Sequence, residues 1–308
     1  AVRDLAGNPL LLTMMAILNR NQALPRDRVE LYAQASRVLL HEWDASRSLP
    51  VDTFGRQEKE ELLRELAGAM QQREGGLAGN LISRADLLTL VREYLTRLGI
   101  AEAFTSARDL ITQLTDRNLM LCFAGADRFA FVHRTFLEYY CACWFVEQFE
   151  KKQSLTLDQL RDDVFGKHWQ DETWHEVLRL IAGMLDEKKT ESLIVFLMQQ
   201  DGRRHKLANL MLAAGCLSEV RNRTPIRTTD QRLWQRVVDD AVRYDPPYFV
   251  EEHQEEEEAG PTRSKAVALL TVVWHTEASR SWLRKAAAAD RDWIVRLAAV
   301  QELARGWK

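Results

Sequence analysis

The stretch "LMLCFAGADRFAFVH", residues 119–133, decides the fold. Two short apolar runs flank Gly125 and Asp127, the composition of a β-hairpin closed by a tight turn. Strand-like alternation is confined to this place, and elsewhere apolar residues recur at helical spacing. The chain then runs into "FVHRTFLEYYCACWFVEQF", residues 131–149, an apolar helix with His133 and Arg134 at its mouth. A helix start leaves backbone N–H groups unpaired and is the positive end of the macrodipole, so these two side chains suit an anion.

Working outward, the spacing predicts helices over residues 9–22 and 26–46, separated by "QALPRDR" with Pro25 near a first helical position. Two more are predicted over 56–74 and 83–98, joined by "EGGLAGN", with Ser83 and Asp86 forming an S-x-x-D start signal. A further helix covers 104–117. Helices, a two-stranded wing and a closing helix make a winged-helix arrangement. From residue 156 the amphipathic segments 172–186, 190–200, 206–220 and 229–244 read as stacked helix pairs. "DPPYFVEEHQEEEEAGPTR" follows, where Pro246, Pro247, Gly260 and Pro261 bracket six glutamates, and it reads as a solvated linker. A helix pair over 264–288 precedes "DRDWIVRLAAVQELARGWK", in which Trp293, Leu297, Val300, Ala304 and Trp307 form one stripe, expected to face a neighbouring helix. Its Asp-rich turn and small residues resemble the second helix of a HEAT repeat.

Composition limits the partners. A net charge of -3 on 308 residues disfavours nonspecific nucleic-acid or anionic-membrane binding. The longest uncharged run, Leu5 to Asn19, is 15 residues, too short to span a bilayer, and no basic segment precedes it, so a cytoplasmic protein is expected. Cys122, Cys141, Cys143 and Cys216 have neither disulfide-scaffold density nor zinc spacing and read as reduced core thiols. His168 and His175, seven apart, share no metal-ligand motif, and "GRRHK" at 202–206 reads as a polar joint between helices.

Two segments carry a resemblance: "LAGNPLLLTMMAILNRNQALPRDRVELYAQASRVLLHEWD", residues 5–44, and "FAFVHRTFLEYYCA", residues 129–142. Together, in this order and separation, they resemble the helical half of a bacterial NACHT module of the STAND nucleotide-switch family. The resemblance implies a mainly α fold: a NACHT-associated helical domain at 1–50, a winged-helix domain at 51–150, a second helical domain at 151–245, an acidic linker at 246–262 and the start of a HEAT-like α-solenoid at 263–308. It also implies that Gly7 and Pro9 lie on the adenine side of a bound nucleotide and that His133 reaches the β-phosphate of ADP. A rigid proline face suits a purine ring, and a near-neutral imidazole suits a phosphate. The same residues read from position alone are a helix-initiating proline and a helix-capping histidine, and Arg134 is placed to pair with Glu138 one turn on.

No G-x-x-x-x-G-K-[ST] segment occurs in the sequence, so hydrolysis of ATP by these residues alone is not expected. The resemblance implies that ADP or ATP with Mg belongs to the full-length protein and that this stretch, expected to be truncated at both ends, binds neither alone. Its implied partners are an NTPase core, a protein or phage-derived trigger met by the repeats, and further copies of itself in the active state, in anti-phage signalling. The alternatives are a HEAT-like adaptor without nucleotide switching and, third, a winged-helix DNA-binding regulator, for which residues 133–149 lack a basic face.

Overall fold

The computed structural model describes residues 12–13, 15–16, 25, 27–42, 54–71, 80–246 and 252–306. It divides into two units, Ala1–Ser154 and Leu155–Lys308. The architecture is mainly α, a winged helix followed by helical repeats, as the sequence pattern predicts.

The first unit begins with α1, Arg28–Arg37, whose start is fixed by Asp27 accepting from the Glu30 amide at 2.7 Å. Its course continues as a π turn over Val38–Glu42. Helix α2, Arg56–Gln71, buries Leu62, Leu63, Leu66 and Met70 on one stripe. Strand β1, Ile82–Ser83, leads into α3, Arg84–Arg97, and Ser83 caps α3 by accepting from the Asp86 amide at 3.1 Å, the start signal expected from the sequence. Helix α4, Ala103–Thr112, runs on through a π turn at Gln113–Arg117. Strands β2, Leu121–Gly125, and β3, Arg128–Phe131, form the expected hairpin, and α5, Arg134–Glu150, closes the unit.

The sheet is antiparallel in the order β1-β3-β2, pairing Ile82 with Phe129 and Phe123 with Phe129. Its hairpin turn puts Ala126 and Asp127 at φ of 46° and 56°. Both central residues of a two-residue loop at positive φ match the right-handed twist of the strands. Helix α3 holds this wing: the Arg84 amide donates to the Asp127 carbonyl at 2.9 Å, and Arg84 Nε to Asp127 Oδ1 at 2.6 Å.

Helix α5 is the centre of the packing. Tyr32 of α1 meets Phe136 and Tyr139, with ring centroids 6.5 and 5.6 Å apart. Gly68 of α2 lies under Trp144, where an added Cβ would stand 2.7 Å from the indole, so only glycine lets the two helices approach this closely. The cut expected at residue 50 therefore falls inside one unit, because α1 and α2 both pack on α5.

In the second unit, Leu157–Gln159, Leu160–Phe165 and Gly166–His168 run on as successive α, π and α turns, which the sequence reading left without a helix. Then follow α6, His175–Met184, α7, Glu187–Gln199, α8, Ala208–Glu219, and α9, Arg227–Arg236, extended by a π turn over Val237–Ala241. Helix α8 is buried on nearly every side and packs against α6, α7 and α9. Asn209 at its start donates to the Leu197 and Gln200 carbonyls at 3.0 and 2.9 Å, tying α8 to the end of α7.

The acidic segment differs from expectation. Within the expected linker at 246–262, the chain is helical from Glu252 through Pro261, and this helix, α10, runs on to Val272. Glutamate is a good helix former, and Ala259, Ala266, Val267 and Leu270 give the helix a buried stripe. Gly260 acts here as a contact point, since a Cβ there would stand 2.9 Å from Ile294.

Helices α11, Glu277–Ala289, and α12, Trp293–Gly306, complete the unit, and α12 packs against both α10 and α11. The expected stripe is reversed: Trp293, Leu297 and Val300 are 49%, 48% and 52% exposed, whereas Val295, Ala298 and Ala299 are buried. A helix with two apolar stripes buries the one whose small residues allow the closer approach. The turn before α12 is held by Arg243 to Asp290 and Arg263 to Asp292, each at 2.8 Å.

Candidate functional site

His133 stands where β3 passes into α5. Its backbone is extended, φ -134° and ψ 134°, and its carbonyl accepts from the Phe136 amide at 3.0 Å. The ring caps the helix: Nδ1 accepts from the Thr135 amide at 3.3 Å and lies 2.9 Å from the Thr135 hydroxyl. Nδ1 therefore carries the lone pair, and in the neutral ring the proton is assigned to Nε2. Partial burial holds the imidazole below its usual pKa, which favours that neutral form. The result is one N–H donor with a fixed orientation at the positive end of a 17-residue helix. The residue type, cap geometry and dipole all accommodate an anionic oxygen.

Arg134 takes the structural role read from its spacing. Its Nε donates to Glu138 Oε1 at 2.8 Å, and the carboxylate is nearly buried. The adenine-side candidates Gly7 and Pro9, with Asn8 between them, lie outside the described residues.

The helix preceding the wing, where a winged helix would read DNA, is α4 with its π turn and not residues 133–149. It carries Arg108 and Arg117 against Asp109 and Asp116, so it has no basic face. The observation that decides the comparison is this order of helix, strand, two helices and hairpin, with His133 at the exit.

Residues 28–145 match the family model of the winged helix-turn-helix domain C-terminal to NACHT. No curated protein and no solved structure matches the chain. The match starts on the first residue of α1 and ends within α5, so it takes in the wing, His133 and Arg134. It covers fewer than half of the 308 residues, and the first unit is similar to that winged helix-turn-helix domain over this segment.

The remaining candidates fall into structural roles. His168 stacks on Trp174 with centroids 3.7 Å apart, and His175 donates from Nε2 to the Trp169 carbonyl at 2.7 Å. Among the described residues no cluster of His, Cys, Asp or Glu is arranged to hold a metal ion. Burial pushes the Cys143 and Cys216 thiols up to about 12, so neither is a thiolate near neutrality. "GRRHK" forms a short 3₁₀ joint ending in Lys206 and Leu207 at positive φ. No helix among the described residues is long and apolar enough to cross a membrane.

One residue of the winged helix-turn-helix domain escaped the sequence reading. Lys59 is completely buried, and its Nζ donates to Asn118 Oδ1 at 3.0 Å while Asn118 Nδ2 donates to the Leu39 carbonyl at 3.0 Å. The signal was present: Lys59 is three or four residues before Leu62 and Leu63, on the apolar stripe of α2.

Proposed function

We propose that these residues are the regulatory part of a NACHT-type nucleotide switch, in which the winged helix-turn-helix domain holds ADP in an autoinhibited state. The observation that carries the reading is the seat of His133, an Nε2–H donor aimed by its own cap at a helix start, inside the segment that matches a NACHT-associated domain. In this reading the donor meets the β-phosphate of ADP, and Gly7 and Pro9 lie against its adenine. The phosphate-cradling loop and Mg belong to an NTPase core, because the 308 residues contain no such loop. The chain is then a sensor and not itself the enzyme.

The helical repeats of the second unit are, in this proposal, HEAT-like and receive a protein or phage-derived trigger. Trigger binding releases His133 from the phosphate, and the full-length protein oligomerises in a bacterial, cytoplasmic defence response. Only a contact that differs between the two states can move such an equilibrium. Purified residues 1–308 are expected to bind ADP more weakly than about 100 μM, on the order of -5.5 kcal/mol, by calorimetry. Tighter binding overturns the assignment of the phosphate cradle to a separate core.

A second reading, an adaptor with no nucleotide switch, is favoured by the outward stripe of Leu297 and Val300. The two separate in a protein joined to its core: His133→Ala releases nucleotide in the first and changes nothing in the second.

A further inference from the structure

In the second unit, α10, α11 and the chain just after the π turn of α9 enclose a recess of about 740 Å³, a volume in the range that holds small ligands. Trp282, Lys285, Ala286 and Ala289 line it from α11. These positions, i, i+3, i+4 and i+7, form one stripe of a helix, so Trp282 and Lys285 are neighbours with Cβ atoms about 5 to 6 Å apart. The two alanines are too short to fill the space beside them.

The recess is bordered by Arg243, Arg263, Lys285 and Arg291 and by two carboxylates, Asp290 and Asp292. Both carboxylates are saturated. Asp290 accepts from the two terminal nitrogens of Arg243, each at 2.8 Å, and from the Asp292 amide at 3.0 Å. Asp292 accepts from Arg263 at 2.8 Å and from the Ile294 amide at 2.7 Å. Lys285 and Arg291 are the charges left over. Both are exposed, and neither side chain has an ion pair or a hydrogen bond among the described residues. The Trp282 indole N–H likewise has no acceptor there. The side-chain groups still available in the recess are therefore donors, and two of them carry an uncompensated positive charge.

A complementary ligand brings about two negative charges on acceptor oxygens, together with a flat apolar body for the indole. A phosphate monoester carries about -1.5 to -2 charges near neutrality and three acceptor oxygens. A guanidinium fork beside an ammonium suits such an oxyanion, and an aromatic ring pairs well with tryptophan. The ring that fits best has no N–H of its own, since the amino group of an adenine would find both carboxylates already occupied.

From this we infer that the recess binds a phosphate monoester carried on a phenyl ring, either a free aryl phosphate or the phosphotyrosine side chain of a partner protein. The ring lies against Trp282 and above Ala286, and the phosphate bridges Lys285 and Arg291. This site uses residues of the second unit alone and is independent of the proposed nucleotide switch.

The probe is phenyl phosphate, titrated into the 308-residue chain by calorimetry at low salt. A dissociation constant tighter than about 1 mM is expected. Lys285→Gln, Arg291→Gln and Trp282→Ala each weaken it roughly tenfold or more. Lys285 and Arg291 are exposed and unpaired, so their variants keep the parent circular dichroism spectrum and denaturant midpoint and test the site even if Trp282→Ala does not fold. Inorganic phosphate and phenol, each with half of the ligand, bind roughly tenfold more weakly or worse. The source is read from the peptide Gly-Gly-phosphotyrosine-Gly-Gly: tighter binding than phenyl phosphate assigns the site to a partner protein, and weaker binding assigns it to a free small molecule. Absence of phenyl phosphate binding at 1 mM, equal affinity for inorganic phosphate, indifference to the Lys285→Gln/Arg291→Gln double variant, or tighter binding of AMP than of phenyl phosphate each overturns the inference.

Discussion

Lys59 Nζ donates to Asn118 Oδ1 at 3.0 Å across 59 residues of sequence, with both side chains closed off from solvent. Since Asn118 also donates to the Leu39 carbonyl, one amide joins α2 to the π turns that follow α1 and α4. Removing one partner of a buried donor takes away part of what offsets its desolvation. Asn118→Ala is expected to cost about 3 kcal/mol in urea unfolding. The pair Lys59→Met with Asn118→Leu is expected to recover much of that loss, since apolar replacement of both partners is often close to neutral. A loss under about 0.5 kcal/mol for Asn118→Ala, as at an ordinary surface site, refutes the buried node.

His133 caps α5 with Nδ1, and in the proposed switch its Nε2–H also meets a phosphate. His133→Ala removes both and should cost about 1 kcal/mol of stability. His133→Asn restores a capping acceptor at the same position without the reach of the imidazole. The proposed switch predicts that, in a protein joined to an NTPase core, both variants lose ADP and oligomerise without a trigger, whereas Arg134→Ala keeps its nucleotide. Retention of ADP by His133→Asn would show that the residue acts as a cap alone.

Burial lowers the pKa of His133, His168 and His175. The unfolded chain then binds protons more readily than the folded one, so the stability contributed by these neutral rings is complete above about pH 6.5 and falls as pH drops below it. The carboxylates with lowered pKa, Asp186, Glu191 and Asp290, act in the acidic range below that window. Denaturant midpoints should therefore decrease between pH 7 and pH 5.5, and less so for His168→Phe. Equal midpoints at the two pH values would contradict burial of these rings.

On α12 the exposed stripe and the buried stripe differ in sensitivity. Leu297→Ala is expected to change unfolding free energy by less than about 0.5 kcal/mol, as for surface sites. Ala298→Leu, which forces bulk against the neighbouring helices, is expected to cost about 1 to 3 kcal/mol. Reversed magnitudes in urea melts would show that α12 packs by its other face.

Much of this architecture is legible in the residues. Ser83 with Asp86 marks the start of α3, the runs around Gly125 mark the hairpin, and the i, i+4 spacing of Arg134 and Glu138 marks their ion pair. Strand β1 is two residues long, below the length at which alternation can be seen. Pro261 and Gly260 read as breakers because propensity says nothing of a neighbour such as Ile294, whose contact rewards a missing Cβ. On α12 either stripe is compatible with a helix period, and only the neighbouring helices choose between Leu297 and Ala298. His133 is legible in the sequence as a residue at a helix start, whereas its tautomer depends on Thr135 and needed the cap geometry.

The two-residue turn at Ala126 and Asp127 also sets an order of events in folding. A hairpin closed by so short a loop forms in about 1 to 10 μs, because little chain entropy is lost in bringing its ends together. The contacts of Ile82 with Phe129 and of Lys59 with Asn118 close much longer loops and come later. Phe129 is thus first covered by Phe123 from its own hairpin and only afterwards by β1. Substitutions in the turn should slow refolding of the first unit, and those at Ile82 should chiefly speed its unfolding.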